Sequence, residues 1–396
     1  MKKYLFILIS AILADVVCNN SIVQIYEIQS HFSSLGLIIT MLCLQMITAP
    51  IQAGFSDFYC RRKSLMVALV ISFVSLFLLI YSKSSSSIAS IFLLLSLVLN
   101  ACLGNTVPIA WSALADVQQK KLRFYLGLTT TAYAIGYMAL ALFGQTGQHS
   151  ENAWLWQNII LPLSLVGLSI LFVWKLYNDA RDQKLKNKNP YFIELAHSEF
   201  KSLSEELKSR STLFGLLAYF CWACSQYSVL LLLLESQKHN MTVMIMMLGY
   251  IVGVSLLGFN HKVKDEKMIR LAYLITILSV ICFFSGNLLS FDSEILFSIS
   301  GFLYTWGNAF LTPSIFSLFS KERGIHEQGK GFGLIVSADS AGFLIGIIFV
   351  NVFTKYKIDP VYMILFSSIV FLISWLPYSI YEKTRKNSDR IDSVNS

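Results

Sequence analysis

Two carboxylates, Asp15 and Asp339, stand inside stretches that are otherwise almost wholly apolar. An ionisable side chain at membrane depth is costly to place there, so it is a functional candidate by default. Asn19 follows Asp15 by one helical turn, with Asn20 and Gln24 close behind, so a carboxylate and amides share one helix. A carboxylate in a low-dielectric cavity can load a proton and release it as solvent access alternates. Asp15 is therefore expected to carry proton coupling, with Asp339 as the second candidate. The competing reading of Asp339 is a structural carboxylate capped by Ser337 or Ser340.

A second set of residues suits solute contact. Tyr219, Trp222 and Gln226 follow i, i+3, i+7 and share a helix face, Tyr304 and Asn308 lie one turn apart with Trp306 between, and Asn100 and Asn105 stand in an apolar run. Amides and aromatics fit a neutral or zwitterionic organic solute better than a polyanion, because no Lys, Arg or His sits in the core of an apolar run to bind phosphate or carboxylate. The competing use of such asparagines is helix-to-helix hydrogen bonding.

Other chemistries are missing their residues. The chain has no His-Glu-x-x-His, no Gly-x-Ser-x-Gly, no phosphate-binding loop and no His/Cys cluster with metal-ligand spacing, so no enzyme, metal or cofactor is expected. Cys221 and Cys224 have redox-pair spacing, but they lie in an apolar run without a cation to favour a thiolate, and read as small packing residues. The seven cysteines are scattered and suggest no disulfide framework.

The elements that must position these residues follow from composition. Of 396 residues 55% are hydrophobic and 14% charged, and the mean hydropathy is +0.61, outside the soluble range. Twelve apolar runs have the roughly 18 to 25 residues that a helix needs to cross a bilayer, and are numbered as spans in chain order: Tyr4–Ile25, Ser34–Gln52, Ser64–Tyr81, Ile88–Leu114, Phe124–Gly144, Trp154–Trp174, Thr212–Leu234, Met241–Gly258, Met268–Leu289, Glu294–Phe319, Phe332–Thr354 and Pro360–Ile380. An all-α polytopic membrane protein of 12 transmembrane helices is expected, and strand alternation is absent. Met1-Lys2-Lys3 before the first run reads as the flank of a transmembrane helix, since no small-x-small cleavage site follows.

With both termini cytoplasmic, all of the 31 Lys and Arg residues lie inside except Lys83, Lys238, Lys355 and Lys357. The net charge of +8 thus reports topology and contact with acidic lipid headgroups, with no nucleic-acid partner. This places the protein in the cytoplasmic (inner) membrane, and it is expected to be a monomer.

The organisation is repetitive. Residues 1–174 form a first six-helix bundle, 175–211 a polar linker, 212–380 a second six-helix bundle and 381–396 a tail. In the linker Phe192, Ala196, Phe200, Leu203 and Leu207 recur at helical spacing, as in an amphipathic helix on the membrane surface. Gly54-Phe55 recurs as Gly258-Phe259, Gly104-Asn105 as Gly307-Asn308 and Gly127-Leu128 as Gly333-Leu334, at offsets of 204, 203 and 206 residues. Tyr133 of span five is placed opposite Asp339 by the same offset. The segment Ala53 to Lys63, read as a short polar loop, opens on glycine and ends on Arg61, Arg62 and Lys63.

Parallel six-span repeats, and this segment between spans two and three, resemble the major facilitator superfamily over nearly the whole chain. The family's Gly-x-x-x-Asp-Arg-x-Gly-Arg-Arg signature is matched by Asp57, Arg61 and Arg62. Ala53, Phe58 and Cys60 depart from it. The resemblance implies two parallel six-helix repeats, alternating access, and a cavity lined by spans one, four, seven and ten. It also implies an inner latch at Gly54, Asp57, Arg61 and Arg62; by its own chemistry Asp57 can sit against the positive end of a neighbouring helix, and Arg61, Arg62 and Lys63 can hold the inner headgroups and pair with carboxylates of the other half. Drug antiporters of the superfamily carry an arginine where Asn100 stands, and a Gly-Pro motif in span five, and both are missing here.

The expected function is secondary transport of a small organic solute coupled to protons, with uptake favoured over export of drugs, siderophores or metabolites. A non-transporting receptor on the same scaffold is the alternative from another class.

Overall fold

The computed structural model describes residues 2–29, 34–81, 87–117, 121–132, 135, 159–176, 205–235, 240–259, 262–289, 293–323, 327–358 and 360–395. The expected surface helix of the linker, apart from 205–211, and Tyr133 lie outside them. Every element among the described residues is helical: α1 Lys2–Gln29, α2 Ser34–Phe58, α3 Arg61–Tyr81, α4 Ser87–Leu103 and α5 Val107–Val117. Residues 122–132 form α6. Then come α7 Leu161–Leu176, α8 Arg210–Glu235, α9 Asn240–Phe259, α10 Asp265–Leu289, α11 Ser293–Lys321, α12 Gln328–Lys355 and α13 Pro360–Asn395.

Six stretches of the described residues are long and apolar enough to cross a membrane: Ile38–Phe58, Arg61–Tyr81, Ile91–Val117, Asp265–Ser285, Gln328–Lys355 and Tyr362–Arg385. Their outer faces keep large apolar side chains such as Val67, Leu94, Leu274 and Leu376 exposed, as lipid contact requires.

Packing divides the chain into two compact units, Met1–Asn189 with Asn240–Gly333, and Pro190–His239 with Leu334–Ser396. In the first, α10 and α9 pack on α11, and α1 and α3 pack on α7. In the second, α8 packs along α13, where Trp222 meets Phe371 edge to face at 4.9 Å.

Two local features differ from the sequence reading. The segment Ala53–Lys63 is mostly helix: α2 runs to Phe58 and α3 begins at Arg61, so Tyr59 and Cys60 alone make the turn. Span four, read as continuous from Ile88 to Leu114, is broken at Gly104-Asn105-Thr106. Pro108 has no N–H to offer the Gly104 carbonyl and biases the residue before it away from helix.

Non-helical backbone survives at this depth only where its polar groups find partners. The Gly104 carbonyl accepts from the Ser72 hydroxyl at 3.3 Å, the Ala101 carbonyl from the Thr48 hydroxyl at 3.2 Å, and the Leu103 carbonyl from the Gln52 amide. Thr106 caps α5, its carbonyl accepting from the Ala110 N–H at 2.9 Å. At the repeat-related place Pro313 lies inside the continuous α11.

Candidate functional site

Three clusters gather most of the expected residues. The first lies around Asp15, 1% exposed at the middle of α1. Its Oδ2 accepts from the Thr106 N–H at 2.9 Å and the Thr106 hydroxyl at 3.1 Å, and its Oδ1 from the Asn19 amide at 2.9 Å. The Asn100 amide donates to Asn19 at 2.6 Å, and the Cys18 thiol lies 3.6 Å from the Asn100 carbonyl oxygen. A relay of donors thus leads from α4 through α1 to the start of α5, whose partial positive charge faces the carboxylate. Among the described residues Asp15 has no cationic partner. Asn105 turns to its own chain and accepts from the Val107 N–H at 3.3 Å. Asn20 and Gln24 lie on α1, but their side chains are outside the described set.

The second cluster belongs to the other unit. Both oxygens of Asp339 on α12 are held by α8: the Tyr219 hydroxyl donates to one at 2.9 Å and the Tyr227 hydroxyl to the other at 2.8 Å. Tyr227 in turn stacks on Phe343 with ring centroids 4.3 Å apart. The carboxylate is met by tyrosines where Ser337 or Ser340 had been the alternative. Gln226 is partly exposed on α8, and Trp222 is fully buried. The expected residues of span ten lie in the first unit and outside this cluster: Tyr304 is buried on α11, Asn308 accepts from the Thr312 hydroxyl at 2.7 Å, and Trp306 packs between Phe302 and Phe310.

The third cluster closes the helix ends of the first unit. Asp57 sits at the last turn of α2 and caps α12, accepting from the Gly329 N–H at 2.8 Å and the Lys330 N–H at 2.9 Å. A carboxylate on two orphan N–H groups is the favoured use of a helix start. Arg61 is 1% exposed. Its guanidinium pairs with Asp57 and with Asp116 at 3.1 Å, and donates to the Ser56 hydroxyl. Arg61 is thus buried among carboxylates, as one part of the expectation had it, but they belong to its own sequence half, and it does not reach the headgroups. Arg62 donates to the Trp174 carbonyl.

α12 can approach this closely because Gly329 and Gly333 lack side chains: a Cβ on Gly333 would lie 2.7 Å from the Ala49 carbonyl, and one on Gly329 would meet the Ala53 carbonyl. Gly54 lies buried on the same stretch of α2. In the same unit Trp111 packs on Phe316 at 4.7 Å and Phe332 at 6.1 Å, and donates to Thr129 at 3.1 Å.

Sequence reasoning did not reach Thr106, Tyr227, Asp116 or the pair Arg123–Asp265, which meet at 2.8 Å. Burial lowers the Arg123 guanidinium pKa from its ordinary value, and Asp265 beside it acts the other way. Asp116 and Asp265 each follow or open an apolar run, which is the signal that was available.

These features, a polytopic helical chain with buried carboxylates and a carboxylate-capped helix start, are those of a membrane transporter of the family that the chain matches. The chain belongs to the Major Facilitator Superfamily, whose family model matches residues 5–347.

Solved structures agree on the fold. The human organic anion transporter MFSD10 (TETRAN) has TM-score 0.69 at 14% identity over 96% of this chain and 99% of that one. FucP, the E. coli fucose:proton symporter, in its outward conformation has TM-score 0.67 at 16% identity over 95% and 99%. A bacterial homologue of the iron transporter ferroportin in its outward-facing state has TM-score 0.71 at 12% identity over 96% and 99%. No curated protein matches the chain significantly.

Proposed function

We propose that this transporter moves a small neutral or zwitterionic organic solute across the cytoplasmic membrane by alternating access, coupled to protons, as a monomer with both termini in the cytoplasm. The observation that carries the coupling is Asp15: a buried carboxylate that, among the described residues, meets hydrogen-bond donors of Thr106 and Asn19 and no cation. When ionised it is a strong acceptor that fixes α1 to the start of α5, and when protonated it loses most of that hold. Proton binding would thereby reach the break in span four. Asp339, held by two tyrosines, is the second proton site.

Spans one, four, seven and ten, with Asn19, Asn20, Gln24, Asn100, Asn105, Tyr133, Tyr219, Trp222, Gln226, Tyr304, Trp306 and Asn308, supply the cavity in this reading. Twelve spans in two six-helix halves joined by 175–211 form the rocking bodies. In this reading the Asp57–α12 contact lies on the cytoplasmic side, by the cation asymmetry, and acts as the inner latch.

A thermal-shift screen of the purified protein against amino acids, nucleosides, polyols, siderophores and drugs finds the solute. Uptake into proteoliposomes under imposed proton gradients then tests coupling. Stimulation when proton and solute gradients run together supports symport. Stimulation only when they oppose would make the protein an exporter, and an equal leak in parent and Asp15→Asn would leave a non-transporting receptor.

A further inference from the structure

Four buried residues, Asn19, Asn100, Cys18 and Ser72, join Asp15 to the other end of the break in span four. The Asn19 amide donates to Asp15 Oδ1 at 2.9 Å, and the Asn100 amide donates to the Asn19 oxygen at 2.6 Å. The Asn100 oxygen faces the Cys18 thiol at 3.6 Å, and the same thiol lies 3.6 Å from the Ser72 carbonyl. One thiol hydrogen serves one acceptor at a time, so Cys18 is a rotor with two settings. Ser72 also carries the hydroxyl that holds the Gly104 carbonyl at 3.3 Å, where the break begins.

The charge of Asp15 sets the sense of this chain. An ionised carboxylate only accepts, so Asn19 must turn its NH2 toward Asp15 and its oxygen toward α4. Asn100 must then turn its own NH2 toward Asn19, which leaves its oxygen for the thiol. Every donor points toward the anion.

A proton on Asp15 reverses that demand. Oδ2 already accepts the N–H and the hydroxyl of Thr106, and a backbone N–H cannot become an acceptor. Oδ1 faces an amide, and an amide exchanges its two ends by a half-turn about χ2 with almost no change of shape. The proton therefore belongs on Oδ1, where it donates to Asn19 once that amide has turned. Asn19 then donates to Asn100, Asn100 turns in its place and donates to the Cys18 sulfur, and the thiol hydrogen swings to the Ser72 carbonyl. No hydrogen changes its heavy atom; the one proton gained is that of Asp15. An amide left unturned would set two buried donors or two acceptors face to face, so the residues turn together.

The surroundings suit such a device. A Cβ on Gly104 would lie 2.4 Å from Asn100 Oδ1 and 2.9 Å from Ser72 Oγ, so glycine at the break leaves the amide room to turn. The helices packed on α1 are α2, α3, α4, α5 and α7, and their charged residues Asp57, Arg61, Arg62, Lys63, Asp116 and Lys175 all stand in terminal turns. Cys18, on its own helix, is the titratable side chain that faces Asp15 among the described residues.

We propose that Asn19, Asn100 and Cys18 are positioning residues that turn over as one relay when Asp15 takes up or releases its proton, and so carry its charge state to Ser72 and the start of the span-four break. Their part in coupling rests on Asp15 being the proton site proposed above. The experiment needs neither solute nor proton gradient, so the relay and the transport reading fail separately.

Asp15→Asn holds the relay in its protonated sense, because the new NH2 meets the NH2 of Asn19 until that amide turns. The readout is the S–H stretching band of Cys18 in infrared spectra of the full-length purified protein, isolated by subtracting the spectrum of the matching Cys18→Ala variant. Its position follows the acceptor of the thiol hydrogen. The relay predicts that Asp15→Asn shifts this band in the parent, and leaves it unmoved when made in an Asn19→Ala or an Asn100→Ala background. Asn100→Ala alone shifts the band in the same direction as Asp15→Asn, since the thiol then keeps only the Ser72 carbonyl. A parental band in Asp15→Asn overturns the proposal. So does an equal shift in the interrupted backgrounds, which would mark the field of the lost charge acting directly on a thiol one turn away. Should one interrupted background not fold, the other decides, and should neither fold, a parental band in Asp15→Asn overturns the proposal still.

Discussion

The carboxylate of Asp15 caps a helix to which it does not belong: its Oδ2 accepts both the backbone N–H of Thr106, at 2.9 Å, and the Thr106 hydroxyl, at 3.1 Å. The break in span four and the buried charge in span one therefore stabilise each other. The N–H freed at Thr106 needs an acceptor, and the carboxylate needs donors.

Asp15→Asn keeps the shape and removes this reciprocity, because an amide oxygen can serve Thr106 or Asn19 but not both, and its NH2 then faces a donor. Proton-driven accumulation of the screened solute is expected to fall about tenfold or more, on the scale of a lost charged hydrogen bond. Exchange of labelled for unlabelled solute without a proton gradient is expected to persist. Equal loss of both would tie Asp15 to solute binding instead of coupling.

Tyr219→Phe and Tyr227→Phe each take one donor from Asp339. Each should destabilise the second unit by about 1.5–3 kcal/mol, seen as a lower midpoint in thermal unfolding. The double variant should cost less than the sum, since the carboxylate is then free to protonate or to recruit water. Additive costs would mean that the two hydroxyls act on the fold independently of Asp339.

Gly333→Leu inserts a side chain where a Cβ alone would lie 2.7 Å from the Ala49 carbonyl and 2.5 Å from the Pro50 Cα. Backbone cannot yield as a side-chain tip does, so α12 must move away from α2, at a cost of about 1–3 kcal/mol or more. Hydrogen exchange at Gly329 and Lys330 should accelerate with it, because Asp57 loses reach. A variant with parental exchange and parental stability would contradict the close approach.

Lys357→Gly is expected to stabilise. Lys357 has φ 52, and beyond the end of α12 its N–H donates to the Thr354 carbonyl at 3.1 Å while the Ile358 N–H donates to Phe353 at 3.0 Å. This is the left-handed helix stop that glycine fills without strain. Relief of that strain is worth about 1 kcal/mol, and a raised midpoint in thermal unfolding checks it.

Much of the fold was legible because a bilayer demands long apolar helices, and their lengths can be read directly from residues such as those of Arg61–Tyr81. Asp57 was legible as a helix cap because its place beside a repeated glycine step left little else for it to do. The break at Gly104-Asn105-Thr106 was not, since proline is tolerated in membrane helices and Pro313 sits in an unbroken one. Tyr227 was missed because Gln226 fits the i+7 position after Tyr219, while the tyrosine that reaches Asp339 is one residue further on. Arg123 and Asp265 carry no local signal for each other.

Asp15 and Thr106 are also separated in time. Synthesis delivers the carboxylate 91 residues before its donor, so the first helix must enter the bilayer with its central charge met only by neighbours on α1. An aspartate at the centre of an inserting helix is disfavoured by about 2.5–3.5 kcal/mol, and that penalty stands until the second part of span four arrives. Nascent chains cut before residue 106 are thus expected to leave the membrane or be degraded faster than chains cut after it. Membrane biogenesis, as well as the proposed coupling, is thus expected to depend on the span-four break forming in the right place.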